Sequence, residues 1–184
     1  MNDSLVISYL TLRRLVGVLG IAISPVLIIG AGLEHSISAY YHTGMRDVFV
    51  GILCGISLFL FSYNGYSWKD SMASRMAGVF ALGIAFFPTN DDGNLVGVLH
   101  YLCAGAFFLI LSYMSGFLFT KSSGELTPQK ITRNHIYMTC ALIMVLCVIT
   151  VPIVRDYILW LETVALLAFG FSWLVKGEFL LKDK

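Results

Sequence analysis

Residues 34–47 carry the densest run of chemistry-capable side chains in the chain: Glu34, His35, Ser36, Ser38, Tyr40, Tyr41, His42, Thr43, Arg46 and Asp47. Imidazole, carboxylate and hydroxyl groups side by side are what proton transfer, anion binding and metal ligation require. Two further polar runs are short: Thr89-Asn90-Asp91-Asp92-Gly93-Asn94 and Arg155-Asp156. Between them, His100 and Glu162 stand inside otherwise apolar stretches. Each is the sixth residue of its stretch, so at about 1.5 Å per residue each lies roughly 7–8 Å below the same end of a helix. At matching depths they could meet as a proton relay, a ligand pair or a general base with its partner. In a hydrolytic version Glu162 or Asp47 is the base, His100 the acid or a ligand, and Arg46 an anion clamp. The wider binding set is Glu34, His35, Ser36, Ser38, Tyr41, His42, Arg46, Asp91 and Arg155.

Each feature also has a plainer reading. Glu162 and His100 could form a hydrogen bond that fixes helix register. Asp47 and Asp156 immediately precede apolar runs, where an N-cap belongs. Asp91-Asp92-Gly93-Asn94 is a good turn sequence. His35, His42 and His100, with Asp47 and Glu162, are the right ligand types for zinc or another divalent first-row ion. No His-x-x-x-His spacing supports that metal.

The elements that must position these groups follow from composition. The chain has 184 residues, of which 58% are hydrophobic and 12% charged, with a mean hydropathy of +0.82. A soluble domain carries roughly 25% charge, so a soluble enzyme, a disordered tail and a collagen-like fibre are excluded. The net charge of +1 gives no basic field for nucleic acid. A bilayer core of about 30 Å needs about 20 helical residues. Six apolar runs meet that need: 15–33, 48–66, 71–88, 95–119, 135–154 and 157–175. They are apolar on every side rather than alternating, which predicts helices and not barrel strands. The expected fold is all-α: a single polytopic domain over residues 1–184 with six transmembrane helices.

Lys and Arg concentrate on the cytoplasmic side of bacterial membrane proteins. With the N-terminus inside, Arg13, Arg14, Lys69, Arg75, Lys121, Lys130, Arg133, Lys176, Lys182 and Lys184 fall inside, and Arg46 and Arg155 outside. Ten against two accounts for all 12 basic residues and puts both termini in the cytoplasm. The polar runs then form one outer cap. Arg75 near a span end is expected to snorkel. The first run reads as a retained helix rather than a cleaved leader. Cys54, Cys103, Cys140 and Cys147 form no Cys-x-x-Cys pair and read as small buried hydrophobes. Gly51-x-x-x-Gly55 and Gly93-x-x-x-Gly97 suggest close helix approach. Pro25 and Pro152 are placed within spans, as kinks. Trp68, Trp160, Tyr40, Tyr41, Tyr66 and Tyr157 read as an interface belt. Glu162 and Lys176 share a face of the last helix roughly 21 Å apart.

Ser36-x-Ser38-x-Tyr40-Tyr41 followed by Arg46-Asp47-Val48-Phe49-Val50-Gly51 resembles a group of small bacterial six-helix membrane proteins. The likeness continues through Tyr63-x-Gly65-Tyr66, Ala85-x-Phe87-Pro88, the His100 helix, Trp160-x-Glu162 and the stretch from Phe171 to Glu178. It covers most of the chain and implies topology and a bacterial inner membrane, but no activity. A looser analogy is to transmembrane hydrolases of the ceramidase and adiponectin-receptor type, which bind zinc through His residues in seven helices with a Ser and an Asp nearby. This chain has Ser, Asp and outer-side His residues, but no seventh helix, and Glu162 where those proteins have paired His in their final span.

Three function classes fit. The first is an outer-face site that binds or processes a lipid or small amphiphile, which in its enzymatic form is a membrane-embedded hydrolase. The second is a small channel or transporter built as a homo-oligomer, its path along the Glu162/Lys176 face. The third is a scaffold whose cap meets a partner protein.

Overall fold

The computed structural model describes residues 8–65, 67–90, 94–122 and 127–181. Among these there is no strand, and six α-helices carry the fold. They are α1 (Tyr9–Ala31), α2 (Arg46–Ser62), α3 (Trp68–Phe86), α4 (Leu95–Tyr113), α5 (Pro128–Thr150) and α6 (Ile158–Lys176). Four helical segments are long and apolar enough to cross a membrane: Leu10–Ala31, Leu95–Leu118, Pro128–Thr150 and Arg155–Lys176. The remaining two helices are α2, with 17 residues, and α3, whose first two turns hold Lys69, Asp70 and Arg75.

Local signals set the helix ends. Ser8, Asn94 and Thr127 cap α1, α4 and α5 through side-chain oxygens that accept from Thr11 N at 3.2 Å, Gly97 N at 2.8 Å and Lys130 N at 3.1 Å. Pro128 opens α5 at a position where its missing N–H costs nothing. That cap starts α5 seven residues before the apolar run at 135. Its first two turns carry Lys130 and Arg133, so hydropathy does not register them. Asp47 and Asp156 are not N-caps. Asp47 lies inside the first turn of α2, where its charge complements the helix dipole, and Asp156 sits in a 3-10 turn before α6. Pro152 lies beyond α5, which ends at Thr150, since an imide nitrogen cannot continue the ladder. Pro25 does sit within α1. After Tyr113 the fourth helix widens into a π turn over Met114–Leu118, so the run to 119 is not one uniform helix.

Each helix packs on the next, and α6 closes back onto α1, giving a ring of six. The α1–α6 seam depends on small residues: a Cβ on Gly17 would stand 2.8 Å from Gly170 O, and one on Gly170 would stand 2.8 Å from Ile21 N. The Gly51-x-x-x-Gly55 pair makes no comparable approach. A Cβ on Gly51 would meet nothing within 4 Å, and one on Gly55 would make an ordinary contact at 3.4 Å. Gly93 lies outside the described residues.

Buried serines stitch other seams by donating to carbonyls of the neighbouring helix. Ser57 binds Gly78 O at 2.8 Å, Ser74 binds Leu60 O at 2.7 Å, Ser112 binds Ala141 O at 2.8 Å and Ser115 binds Tyr137 O at 2.9 Å. Where the surroundings are as apolar as the core, such bonds and close packing hold helices together. Outward faces are apolar, with Ile29, Leu58, Leu102 and Leu142 all exposed. Of the aromatic residues expected at an interface, Trp68, Trp160 and Tyr157 are exposed and Tyr41 is half-buried, but Tyr40 is fully buried and does not belong with them; Arg75 is exposed. Tyr66 lies outside the described residues.

Candidate functional site: a cavity under the cap

The ring has two chemically distinct ends. The end holding residues 32–45 is the cap end; the end holding Arg13, Arg133 and Lys176 is the basic end. At the cap end α1 stops at Gly32, whose φ of 82° suits glycine and turns the chain across the bundle. A 3-10 turn follows over Ser38–His42. Ser36 Oγ accepts from Ala39 N at 3.0 Å, and the Tyr40 hydroxyl donates to Gly32 O. Burial pushes the Tyr40 phenol above its ordinary value, and the Glu34 charge adds to that rise, although a hydrogen bond with the Glu34 backbone opposes it.

Glu162, on the second turn of α6, ties this loop to the bundle. Its carboxylate accepts from Ile37 N at 2.5 Å and from the Ser38 backbone N–H and hydroxyl. Leu159 N donates to His35 O at 3.1 Å beside it. The carboxyl group therefore acts as a hydrogen-bond acceptor at the start of the 3-10 turn, supplied from another helix. An intramolecular hydrogen bond contributes about 0.5–1.5 kcal/mol, and leaving a buried donor without its acceptor costs about 1–3 kcal/mol.

His100 takes different partners. Its Nδ1 lies 2.7 Å from Phe87 O, just past the end of α3, and Nε2 has no hydrogen-bond partner among the described residues. A carbonyl only accepts, so Nδ1 carries a proton. His42 Nε2 lies 2.7 Å from Thr89 O, and Thr89 Oγ1 donates to the Tyr101 hydroxyl at 3.2 Å. His42 and His100 thus close the end of α3 against the loop and α4. The structure does not join His100 to Glu162: equal depth along the helices is not equal direction.

The remaining candidates scatter. Arg46 is exposed and lies over the Tyr41 ring at 4.4 Å, donating to its hydroxyl at 2.7 Å. Asp47 is exposed and, like Arg46, is not among the cavity-lining residues. Glu34 is half-buried near Tyr40. Asp91 lies outside the described residues. Among the described residues no three His, Cys, Asp or Glu side chains gather as a metal-ligand set, so His35, His42 and His100 do not form one.

His35, Ser36, Ser38, Arg155 and Glu162 do come together, around the mouth of a cavity of about 770 Å³. Asn90 and Tyr101 join them. Below this polar rim the walls are apolar: Val98, Ala104, Gly105 and Phe108 from α4, Cys147, Val148 and Val151 from α5, and Ile158, Leu161 and Ala165 from α6. The lining runs ten residues along α4, roughly 15 Å. The hollow exists because α4 and α6 barely touch while α5 packs on both. Small side chains at the middle of α4 keep it open, and a Cβ on Gly105 would meet nothing within 4 Å. The volume is in the range of small-molecule sites, about 300–1,000 Å³.

The interior between Glu162 and Lys176 is filled. Phe107 meets Phe169 edge-on at 6.0 Å, Phe169 meets Trp173 at 6.2 Å, and Trp173 meets Phe119 and Tyr63 at 5.3 and 5.2 Å. The cavity therefore sits over an aromatic plug.

No protein-family model, curated protein or solved structure matches the chain. Fold and site define it only as a helical protein with four segments long and apolar enough to cross a membrane and, among the described residues, a polar-rimmed apolar cavity.

Proposed function

We propose that this chain is an integral protein of a bacterial inner membrane whose outer-face cavity binds a lipid or small amphiphile. In this reading all six helices span the bilayer and both termini are cytoplasmic, as the ten-to-two division of Lys and Arg favours. The observation that carries the reading is the cavity itself, with apolar walls about 15 Å long below a rim of His35, Ser36, Ser38, Asn90, Arg155 and Glu162. An alkyl body fits the walls, and a polar head meets the rim. Arg155 and His35 favour a head that is neutral or anionic.

Binding is better supported than processing. The Glu162 carboxylate already serves three donors, and His100 is not among the lining residues. A path along the Glu162/Lys176 face gains less support, because the aromatic plug fills it.

Gly105→Leu tests the reading without touching the polar rim. The new side chain fills open space, so the protein should stay folded, with a Tm within a few degrees of wild type. Affinity for a spin-labelled lysolipid should fall at least tenfold. Unchanged affinity in the folded variant would remove the cavity from the proposal.

A further inference from the structure

If the cap cavity is a lipid site, as proposed above, the seam between α4 and α5 shows from which side a lipid reaches it. Toward the basic end that seam is closed. Ser112 and Ser115 donate to Ala141 O and Tyr137 O at 2.8 and 2.9 Å, and a Cβ on Gly116 would stand 3.2 Å from the Ala141 Cβ. The π turn of Met114–Leu118 packs on α5 beside these bonds.

The same two bonds set the antiparallel register of the facing stripes. Seven residues, about two turns, toward the cap from Ser112 and Ala141 stand Gly105 and Val148. Eleven residues, about three turns, toward the cap stand Tyr101 and Pro152. In a closed seam these would be contact pairs. All four line the cavity instead, and a Cβ on Gly105 would meet nothing within 4 Å. The helices touch at one end and part at the other, which leaves a wedge. Val98, Tyr101 and Pro152 line this wedge and are also exposed, so it reaches the outer surface of the ring. Leu161 and Ala165 of α6 form its far wall.

We propose that the cavity opens sideways between α4 and α5, and that its ligand is a two-chain phospholipid drawn from the surrounding bilayer. One acyl chain lies in the wedge against Leu161 and Ala165. The other stays outside, along the apolar faces where Leu102 and Leu146 are exposed. Arg155, exposed at the cap end of the wedge, meets the phosphate, whose oxygens match a guanidinium fork. A chain that enters from the side passes from one apolar surrounding to another, whereas a chain that enters over the polar rim must first cross water.

The test uses the full chain in phosphatidylcholine nanodiscs doped with one of two photoreactive probes. One is a phosphatidylglycerol with a diazirine on one acyl chain; the other is the lysolipid with the same headgroup and labelled chain. Adducts are mapped by mass spectrometry after illumination. Cys147 and Ala165 line the cavity yet are only 6% and 1% exposed, so lipid lying against the outside of the ring does not touch them. Both probes should label these two residues. Gly105→Leu, which crowds the wedge, should cut those adducts about tenfold while Leu102 and Leu142 on the outer faces stay labelled. Side entry is overturned, and the cavity reading stands, if the lysolipid labels Cys147 and Ala165 while the phospholipid labels outer-face residues alone. It is overturned as well if phospholipid adducts at the two residues persist undiminished in Gly105→Leu. Absence of adducts there with either probe would remove the cavity reading itself, and side entry with it.

Discussion

The two ends of one helical ring treat buried charge in opposite ways. At the cap end, the single carboxyl group of Glu162 receives donors from Ile37 and Ser38 in the cap loop. At the basic end, Lys130 and Lys176 donate to the Phe119 carbonyl, and Arg13, Lys130 and Lys176 lie over the rings of Tyr63, Tyr137 and Phe119. A charge whose partners lie within its own fold is architecture, and it leaves the neighbouring hollow free for a ligand. In the proposed reading, the cap end recognises its ligand through shape and a polar rim.

The largest expected effect comes from breaking what both ends share. Gly170→Leu would drive a side chain into the backbone of α1, where a Cβ already meets Ile21 N at 2.8 Å. Backbone cannot yield as a side-chain tip can, so destabilisation of about 3 kcal/mol or more is expected. It should appear as loss of the monodisperse peak in size-exclusion chromatography. Gly51→Ala, with open space around it, is the matched control and should be near neutral. Equal behaviour of the two variants would mean that the α1–α6 seam is not what closes the ring.

Next in size is the carboxylate that anchors the cap. Glu162→Ala leaves the N–H groups of Ile37 and Ser38 without their acceptor, which should cost about 3 kcal/mol. Glu162→Gln keeps one acceptor oxygen and should cost less, about 1–2 kcal/mol. Hydrogen exchange sharpens the point: amides at 37–42 should lose protection in the Ala variant while amides in α5 do not. Full protection of 37–42 in Glu162→Ala would show that the loop holds itself, and the contrast between the two ends would lose its first half.

How much of this was legible in the residues follows from what helical geometry encodes. Apolar runs located all six helices, because burial and lipid contact both demand apolar faces. They missed the first two turns of α5, where Lys130 and Arg133 belong to a helix but not to an apolar run. Rise per residue placed His100 and Glu162 at one end, and the structure agrees. Rise says nothing of azimuth, so the expectation that they pair was wrong in direction: His100 faces the end of α3 and Glu162 faces the cap loop. The tight seam lay at Gly17 and Gly170, far apart in sequence, rather than at a local Gly-x-x-x-Gly pattern. Ala104-Gly105 on α4 was a faint sign of the cavity, since small residues in the middle of an apolar helix leave room. Nothing local indicates that α5 holds α4 and α6 apart. The Lys and Arg residues were legible in the sequence as a charge pattern, but the meeting of Lys130 and Lys176 at Phe119 needed the ring closure and the π turn.

The smallest expected effect concerns the ion pair that borders the basic cluster. Asp70 is buried, which pushes its carboxyl up, but Lys121 at 2.7 Å and the Ser67 donors outweigh that and hold it below the ordinary value of 3.8. A depressed carboxyl contributes stability that is fully present above its unfolded value. The contribution is lost as pH falls through the lower folded value. Lys121 is 41% exposed, so water screens the pair and its worth is at most about 1 kcal/mol. Lys121→Met should therefore lower Tm slightly at pH 6, and its Tm should begin to fall at a higher pH than that of wild type on acidification. The two curves should converge once Asp70 is protonated in both proteins. If Lys121→Met instead matches wild type across the whole range, Asp70 is held by Ser67 alone. Asp70 would then resemble Glu162, a carboxylate kept in place by hydrogen-bond donors and not by a cation.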